Sequence, residues 1–260
     1  METKTLNGKK VKYYDSIDEL PIVNYQKFNK YVLFSANVGN DINSVVQHHA
    51  NILKLIDIDK NKAKLELSNT IQSLLFIENN VNTDLLAFAC LIHSIDDVVV
   101  TDFSDANLKA IIESLNGEKF SLVKKILDHL KKKLTSELDA YYPEYFSVNH
   151  TEKKNRQMMI KYTRLQLKLI LAKDEEARNE IQEKIKAMTH KIYSLYRVLP
   201  MSGKDTYEIK YDKYFESSCM AIAQETGLDP YKLTVLQFYG LLENLHKQAK
   251  QKLKAAKKHG

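Results

Sequence analysis

The sequence has 260 residues, of which 44% are hydrophobic and 28% are charged, and it contains only 7 glycines and 4 prolines. This composition supplies material for a buried core, excludes a disordered chain or a turn-rich β-protein, and favours long helices. The net charge of +6 equals the charge of residues 247–260, which hold six lysines and no acid, so the rest of the chain is neutral and exerts no general attraction on nucleic acid.

The cysteines and the hydropathy of the chain predict a soluble intracellular protein. Cys90 and Cys219 are far apart, so they form neither a CxxC pair nor a disulfide framework, and a reducing compartment fits. No apolar run approaches the roughly 20 residues that a membrane-spanning helix needs, and residues 1–12 do not resemble a signal peptide. We therefore expect no membrane partner.

Residues 1–140 are predicted to form a helical bundle with an extended amino-terminal arm. Residues 9–14 (KKVKYY) alternate in polarity, which predicts a short strand or arm. Apolar residues at helical spacing then predict three helices. These run from Ile22 to a break near Gly39, from an N-cap at Asp41 to Ile56, and from an N-cap at Asp59 to Asn79.

The most apolar segment of the chain is the stretch of residues 85–95. Because it is apolar on every side, it predicts the central helix of the bundle. Two further helices are expected around residues 105–115 and 118–138, since Asn116 and Gly117 between them form a good helix stop.

Residues 141–150 (YYPEYFSVNH) interrupt the helical pattern, and we predict a linker here before a long-helix part at residues 151–260. Two charged helices, separated near Asp174, are expected first. Residues 206–211 (TYEIKY) alternate like a second strand that could pair with residues 9–14. Asp229 and Pro230 then predict the start of a final helix that runs into the lysine tail. The expected fold is an all-α multi-helix bundle with long helices and possibly one small two-stranded element.

The chain carries no recognisable catalytic or cofactor motif. In the HSIDD stretch, His93, Asp96 and Asp97 would share a helix face and, with His48 or His49, could bind a divalent metal. A helical metal phosphohydrolase would carry an adjacent His-Asp pair, and none occurs, so we expect this stretch to be structural. The glycines are too scattered for a phosphate-binding loop, and no Gly-x-Ser-x-Gly turn is present. We predict a protein that is not an enzyme, with no metal and no cofactor.

Aromatic clusters and the lysine tail are the candidate contact sites. The chain has 15 tyrosines and no tryptophan, and tyrosine is favoured at protein interfaces, although half-buried helix packing is an equally open interpretation. The tail is either a non-specific DNA contact or a solvated helix end that complements the helix dipole. The candidate interface residues are Val11, Tyr13, Tyr14, Tyr141, Tyr142 and Tyr145, and the tail residues are Lys247, Lys250, Lys252, Lys254, Lys257 and Lys258.

One stretch near the amino terminus, residues 14–56, carries a resemblance to a known family. The residues that carry it are Glu19, Leu20, Pro21, Phe28, Tyr31, Gly39 and Asp41. The stretch covers about one sixth of the chain and resembles the start of helical virion proteins of crAss-like tailed bacteriophages.

The resemblance implies a structural protein of the head–tail region, such as a connector or ring (collar) component beneath the portal. Such a protein is made in the host cytoplasm and is located in the virion. Its partners would be copies of itself in a ring and other virion proteins, such as portal or tail components. Two alternatives stay open, namely a non-structural phage assembly chaperone and a DNA-associated helical accessory protein.

Overall fold

The computed structural model describes residues 1–37, 42–79, 82–115, 120–146, 150–204 and 206–259. Helices make up well over half of these residues, which confirms the mainly helical prediction. A four-stranded antiparallel sheet accompanies them, whereas the sequence predicted at most a two-stranded element. Its strands are β1 (Glu2–Leu6), β2 (Lys9–Tyr13), β3 (Ile92–Ile95) and β4 (Val98–Val99). The helices are α1 (Ile22–Asn37), α2 (Ile42–Leu55), α3 (Lys60–Glu78), α4 (Thr83–Cys90), α5 (Asp105–Ser114), α6 (Phe120–Tyr141), α7 (Pro143–Phe146), α8 (His150–Leu171), α9 (Glu175–Leu195), α10 (Tyr207–Thr226) and α11 (Val235–His259), with a short 3-10 helix at Pro230–Lys232.

The chain folds into two compact units that alternate along the sequence. Unit 1 contains Met1–Asn37, Asn80–Ser147 and Glu208–Gly260, whereas unit 2 contains Val38–Asn79 and Val148–Tyr207. One of the changes of unit falls inside the predicted linker at residues 141–150. The last stretch of the chain groups with the first, which no composition shift in the sequence had indicated.

Two tight hairpins build the edges of the sheet in unit 1. The turn between β1 and β2 is formed by Asn7 and Gly8, and the turn between β3 and β4 by Asp96 and Asp97, all four with positive φ. Such turns match the right-handed twist of the flanking strands, and Asn, Asp and Gly adopt positive φ most readily. The two hairpins join through antiparallel pairing of β2 with β3.

Two sequence-based predictions of secondary structure were wrong. Residues 206–211 lie mostly in α10 rather than in a strand, and the predicted central helix at residues 85–95 ends at Cys90, where β3 soon follows. A short apolar run fits a buried helix and a buried strand equally well, so periodicity alone cannot distinguish them. Ile92–Ile95 is a strand because it pairs with the distant β2. The strand predicted at residues 9–14 is confirmed as β2, but it pairs with β1 and β3 rather than with residues 206–211.

Two of the predicted helix starts, at Asp59 and Asp174, are confirmed, whereas the start of the final helix predicted at Asp229 and Pro230 is wrong. Asp59 accepts hydrogen bonds from the backbone N–H groups that open α3, and Asp174 does so at α9. Asp229 caps the 3-10 helix, while α11 itself begins at a capping box in which Thr234 and Gln237 exchange hydrogen bonds. The predicted breaks and cap at Gly39, Asp41, Asn116 and Gly117 lie outside the described residues.

An apolar core holds unit 1 together, and all of its described members belong to that unit. Helix α4 lies at its centre, where Phe88 packs edge-on against Tyr13 of β2. Asn82 caps α4 by accepting 3.1 Å hydrogen bonds from the N–H groups of Asp84 and Leu85. The expectation of a buried central helix is therefore correct for residues 83–90.

Candidate functional site

The interior of unit 2 is polar. Among its described residues only Leu55 and Ala63 are buried apolar side chains. Polar side chains occupy the space between α2 and α3, and we call this set the polar seam. It consists of His48, Asn51, Glu66, Asn69 and Ser73.

Glu66 is the centre of the polar seam, with a residue exposure of only 1%. Its Oε1 atom lies 2.9 Å from Nδ1 of His48, accepts a 3.1 Å hydrogen bond from the Asn51 amide, and lies 3.4 Å from the Tyr196 hydroxyl. A buried carboxylate is costly unless such donors satisfy it. Burial, together with the nearby charge of Glu66, raises the pKa of Tyr196 to about 12, so this hydroxyl keeps its proton.

The polar seam continues from α3 to the chain that follows α9. The Asn69 amide donates a 3.0 Å hydrogen bond to the carbonyl of Leu199 and accepts one of 3.3 Å from the N–H of Met201. The Tyr193 hydroxyl donates a 3.0 Å bond to the Asn51 side chain. Directional hydrogen bonds therefore set the register of α2, α3 and α9, where apolar contacts would tolerate sliding.

Apolar side chains of unit 2 point outward instead. On α2, Ile42, Val46 and Leu53 recur at spacings of four and seven, so they share one side of the helix, with exposures of 65%, 62% and 57%. His48 and Asn51 lie on a different side of α2 and are buried. On α3, the same outward pattern recurs. We call the combined surface the α2–α3 outer face, defined by Ile42, Val46, Leu53, Ile56, Leu67, Ile71, Leu74 and Leu75.

Charged residues are missing from most of this face. Neither residues 42–53 nor residues 67–77 contain Asp, Glu, Lys or Arg, although 28% of the whole chain is charged. With His48 beside Glu66, the antiparallel helices place the first turns of α2 next to the stretch of α3 that begins at Leu67. The two charge-free stretches therefore lie side by side on neighbouring helices, and depletion of charge is the compositional mark of an interface core.

Most of the predicted interface residues do not lie on an exposed surface. Val11, Tyr13 and Tyr14 are buried in the core of unit 1, which corrects the hypothesis of a free amino-terminal arm. β1 covers one side of β2, and β3 covers the other, so the arm is part of the sheet.

The aromatic residues near α7 divide between core and surface. Tyr142 is buried in unit 1 and Tyr145 is half-buried, with its hydroxyl 3.2 Å from the Leu242 carbonyl. Tyr141, in contrast, is exposed. Of the six predicted interface residues, only Tyr141 presents most of its side chain to solvent, because the others pack in the sheet and helices of unit 1.

The HSIDD stretch forms β3 and its hairpin turn. His93 Nδ1 lies 3.0 Å from the Tyr14 hydroxyl, and Asp96 accepts a 2.8 Å hydrogen bond from the N–H of Lys10. Asp97 forms a 3.1 Å ion pair with the Lys10 side chain. These contacts join the hairpin to β2. In the part of the chain that the structure describes, no group of three or more His, Cys, Asp or Glu side chains is placed to hold a metal.

The lysine tail forms the end of α11, as predicted. Lys247 makes a 3.0 Å ion pair with Glu243 one turn earlier, and Lys250, Lys252 and Lys254 are exposed. The side chains of Lys257 and Lys258 lie outside the described residues. A contact of this tail with DNA therefore stays a prediction.

The two cysteines are buried in unit 1. Burial raises the pKa of the Cys90 thiol to about 12 and that of Cys219 to about 11. Because the thiolate is the reactive form, neither side chain is suited to act as a nucleophile at neutral pH.

The α2–α3 outer face is the site that sequence reasoning missed. The spacing of its apolar residues on α2 predicted a helix but not the direction in which the apolar stripe points. The available signal was the absence of charge over residues 42–53 and 67–77. No helix among the described residues has the length and apolar character needed to cross a membrane. Comparisons with protein-family models, with curated proteins and with solved structures found no match to this chain, so the case for this site rests on its geometry.

Proposed function

We propose that this protein is a structural component that works by assembling with copies of itself. The observation that carries the proposal is the α2–α3 outer face, where eight apolar residues are each about half exposed. Together they present on the order of 800 Å², which exceeds the roughly 300–600 Å² of the largest apolar patch on a typical monomer. An area of this size is unfavourable in water and favours burial by another protein surface.

The resemblance of residues 14–56 to helical virion proteins indicates the kind of assembly to which this protein would belong. A head–tail connector or ring (collar) component of a tailed bacteriophage functions through extended surfaces and needs no catalytic group. Its partners are other copies in a ring and virion proteins such as the portal or tail. Mass spectrometry of purified virions tests the setting, with several copies per particle expected; absence from the particles would indicate a non-structural assembly chaperone instead.

Self-assembly is tested by measuring the mass of the protein in solution. Light scattering coupled to size-exclusion chromatography should give a mass of at least twice the 30.1 kDa of one chain at micromolar concentration. The assembly should resist high salt, because apolar burial is not screened as charge pairs are. A monomer at every concentration and salt would contradict the proposal. Dissociation by salt would instead point to contacts made through the lysine tail.

A further inference from the structure

We propose that the α2–α3 outer face binds the same face of a second copy of this chain. This inference rests on the proposed function and specifies the surface and the partner through which the assembly forms.

The area of the face fits one side of a stable contact. A standard protein interface buries about 800 Å² on each partner. The α2–α3 outer face presents about that area. Two copies of the face therefore supply a complete interface without any other surface.

The lack of charge on this face favours a second copy of the chain as the partner. An anionic membrane or a nucleic acid is recognised by cationic side chains, and residues 42–53 and 67–77 contain none. A surface without charges can meet a copy of itself without burying an unpaired ion. Most soluble oligomers use such symmetric contacts, in which one patch is complementary to itself.

Unit 2 has a second exposed apolar stripe, on α8, which is less suited to pack against this face. On α8, Ile160, Leu167 and Leu171 are exposed at spacings of seven and four, but Arg164 lies between them on the same side of the helix. Pairing α8 with the α2–α3 outer face would remove this arginine from water opposite a surface that has no carboxylate. The symmetric contact avoids that cost.

The polar seam preorganises the α2–α3 outer face for binding. Glu66, held by His48 and Asn51, joins α2 to α3 through buried side chains outside the apolar stripe. The outward side chains are therefore fixed before the partner arrives, so less conformational entropy is lost on association.

The test introduces one carboxylate at the centre of the face. Val46→Glu and Ile71→Glu change exposed side chains, so the circular dichroism spectrum should stay unchanged. In a symmetric contact each substitution enters the interface twice, and we expect the dissociation constant to rise by at least about a hundredfold. Val46→Ser and Ile71→Ser, which only remove apolar area, serve as milder variants in case a glutamate disturbs folding. The matched control is Leu167→Glu on α8, a leucine of similar exposure outside the face.

The outcomes separate this inference from the proposed function. Dissociation of the Val46 and Ile71 variants, with Leu167→Glu still assembled, supports the inference. Assembly of all three variants overturns it but leaves self-assembly standing, whereas a monomeric wild type overturns both. Dissociation of Leu167→Glu together with the face variants indicates a contact between unlike faces and also overturns it. A symmetric contact joins copies in pairs, so an odd number of chains in the wild-type assembly is a further contradiction.

Discussion

Unit 1 buries Phe88 and Leu130 in an apolar core, whereas unit 2 buries Glu66 and Asn51 and leaves Val46 on its surface. Both units are helical, and both use amphipathic helices. The difference lies in which side of the helix faces inward. An apolar core stabilises a single chain by removing area from water, at about 25 cal/mol per Å². Hydrogen bonds inside a polar seam add little net stability but fix one geometry.

This contrast indicates that unit 1 is stabilised within a single chain, whereas unit 2 is suited to bind another surface. Unit 1 has the apolar material to be stable in a single chain. Unit 2 has a defined internal register and an apolar exterior, so its remaining apolar area can be buried only by another surface. Four substitution experiments test whether the two interiors differ as described.

The largest effect is expected in the core of unit 1. Phe88→Ala removes a nearly fully buried ring that packs against Tyr13, and it should lower the free energy of unfolding by about 3–5 kcal/mol. Urea denaturation followed by circular dichroism measures the change. Ile170→Ala, at an exposed position in unit 2, should change stability by less than about 0.5 kcal/mol. Equal losses for the two variants would refute the placement of the core.

The next effect is expected in the polar seam. Glu66→Ala removes the buried carboxylate that His48, Asn51 and Tyr196 share as a hydrogen-bond partner, and this loss should cost about 1–3 kcal/mol. Glu66→Gln retains a side-chain oxygen and should lose less. Amide hydrogen exchange should report faster opening of α2 and α3, with α4 unchanged. If Glu66→Ala were as stable as the wild type, the polar seam would have no structural role.

A smaller effect is expected at the N-cap of α3. Asp59→Ala removes the side-chain oxygen that accepts from the N–H groups of Asn61 and Lys62, and it should cost about 1 kcal/mol. Asp57→Ala removes the same charge two residues earlier and serves as the control. Thermal unfolding measures both variants, and equal melting temperatures would argue against the cap.

The smallest effect is expected on the stability of unit 1 at acidic pH. Burial raises the pKa of Asp105, but hydrogen bonds from Tyr31 and Lys27 outweigh it and hold that pKa below its ordinary value of 3.8. A lowered folded-state pKa gives stability that is present above about pH 4 and is lost as the pH falls through the folded value.

The contribution of Asp105 should stay below about 1 kcal/mol, because its side chain is largely exposed and solvent screens the pair. Asp105→Asn should flatten the loss of stability between about pH 4 and pH 2. Chemical denaturation at a series of pH values measures it. A steeper acid dependence in the variant would mean that the sign of the shift is wrong.

Local chemistry was sufficient to predict most helices of this protein. Asp59 and Asp174 end up as N-caps because a side-chain oxygen can satisfy backbone N–H groups wherever a helix begins. Gly227, with positive φ, follows the end of α10 for an equally local reason. Strand β2 was foreseen from its alternation, whereas β3 was not, because it becomes a strand only by pairing with residues some 80 positions away.

The sequence by itself determined where most of the helices are and which stretches lack charge. Tertiary structure alone decided which side of each helix faces inward. The spacing of Ile42, Val46 and Leu53 describes an apolar stripe equally well whether it covers a core or faces solvent. Hydrogen bonds between residues on separate helices, such as those of Glu66 with His48 and Asn51, hold α2 so that the stripe points outward. Periodicity carries no information about such a contact, because it depends on which helices meet.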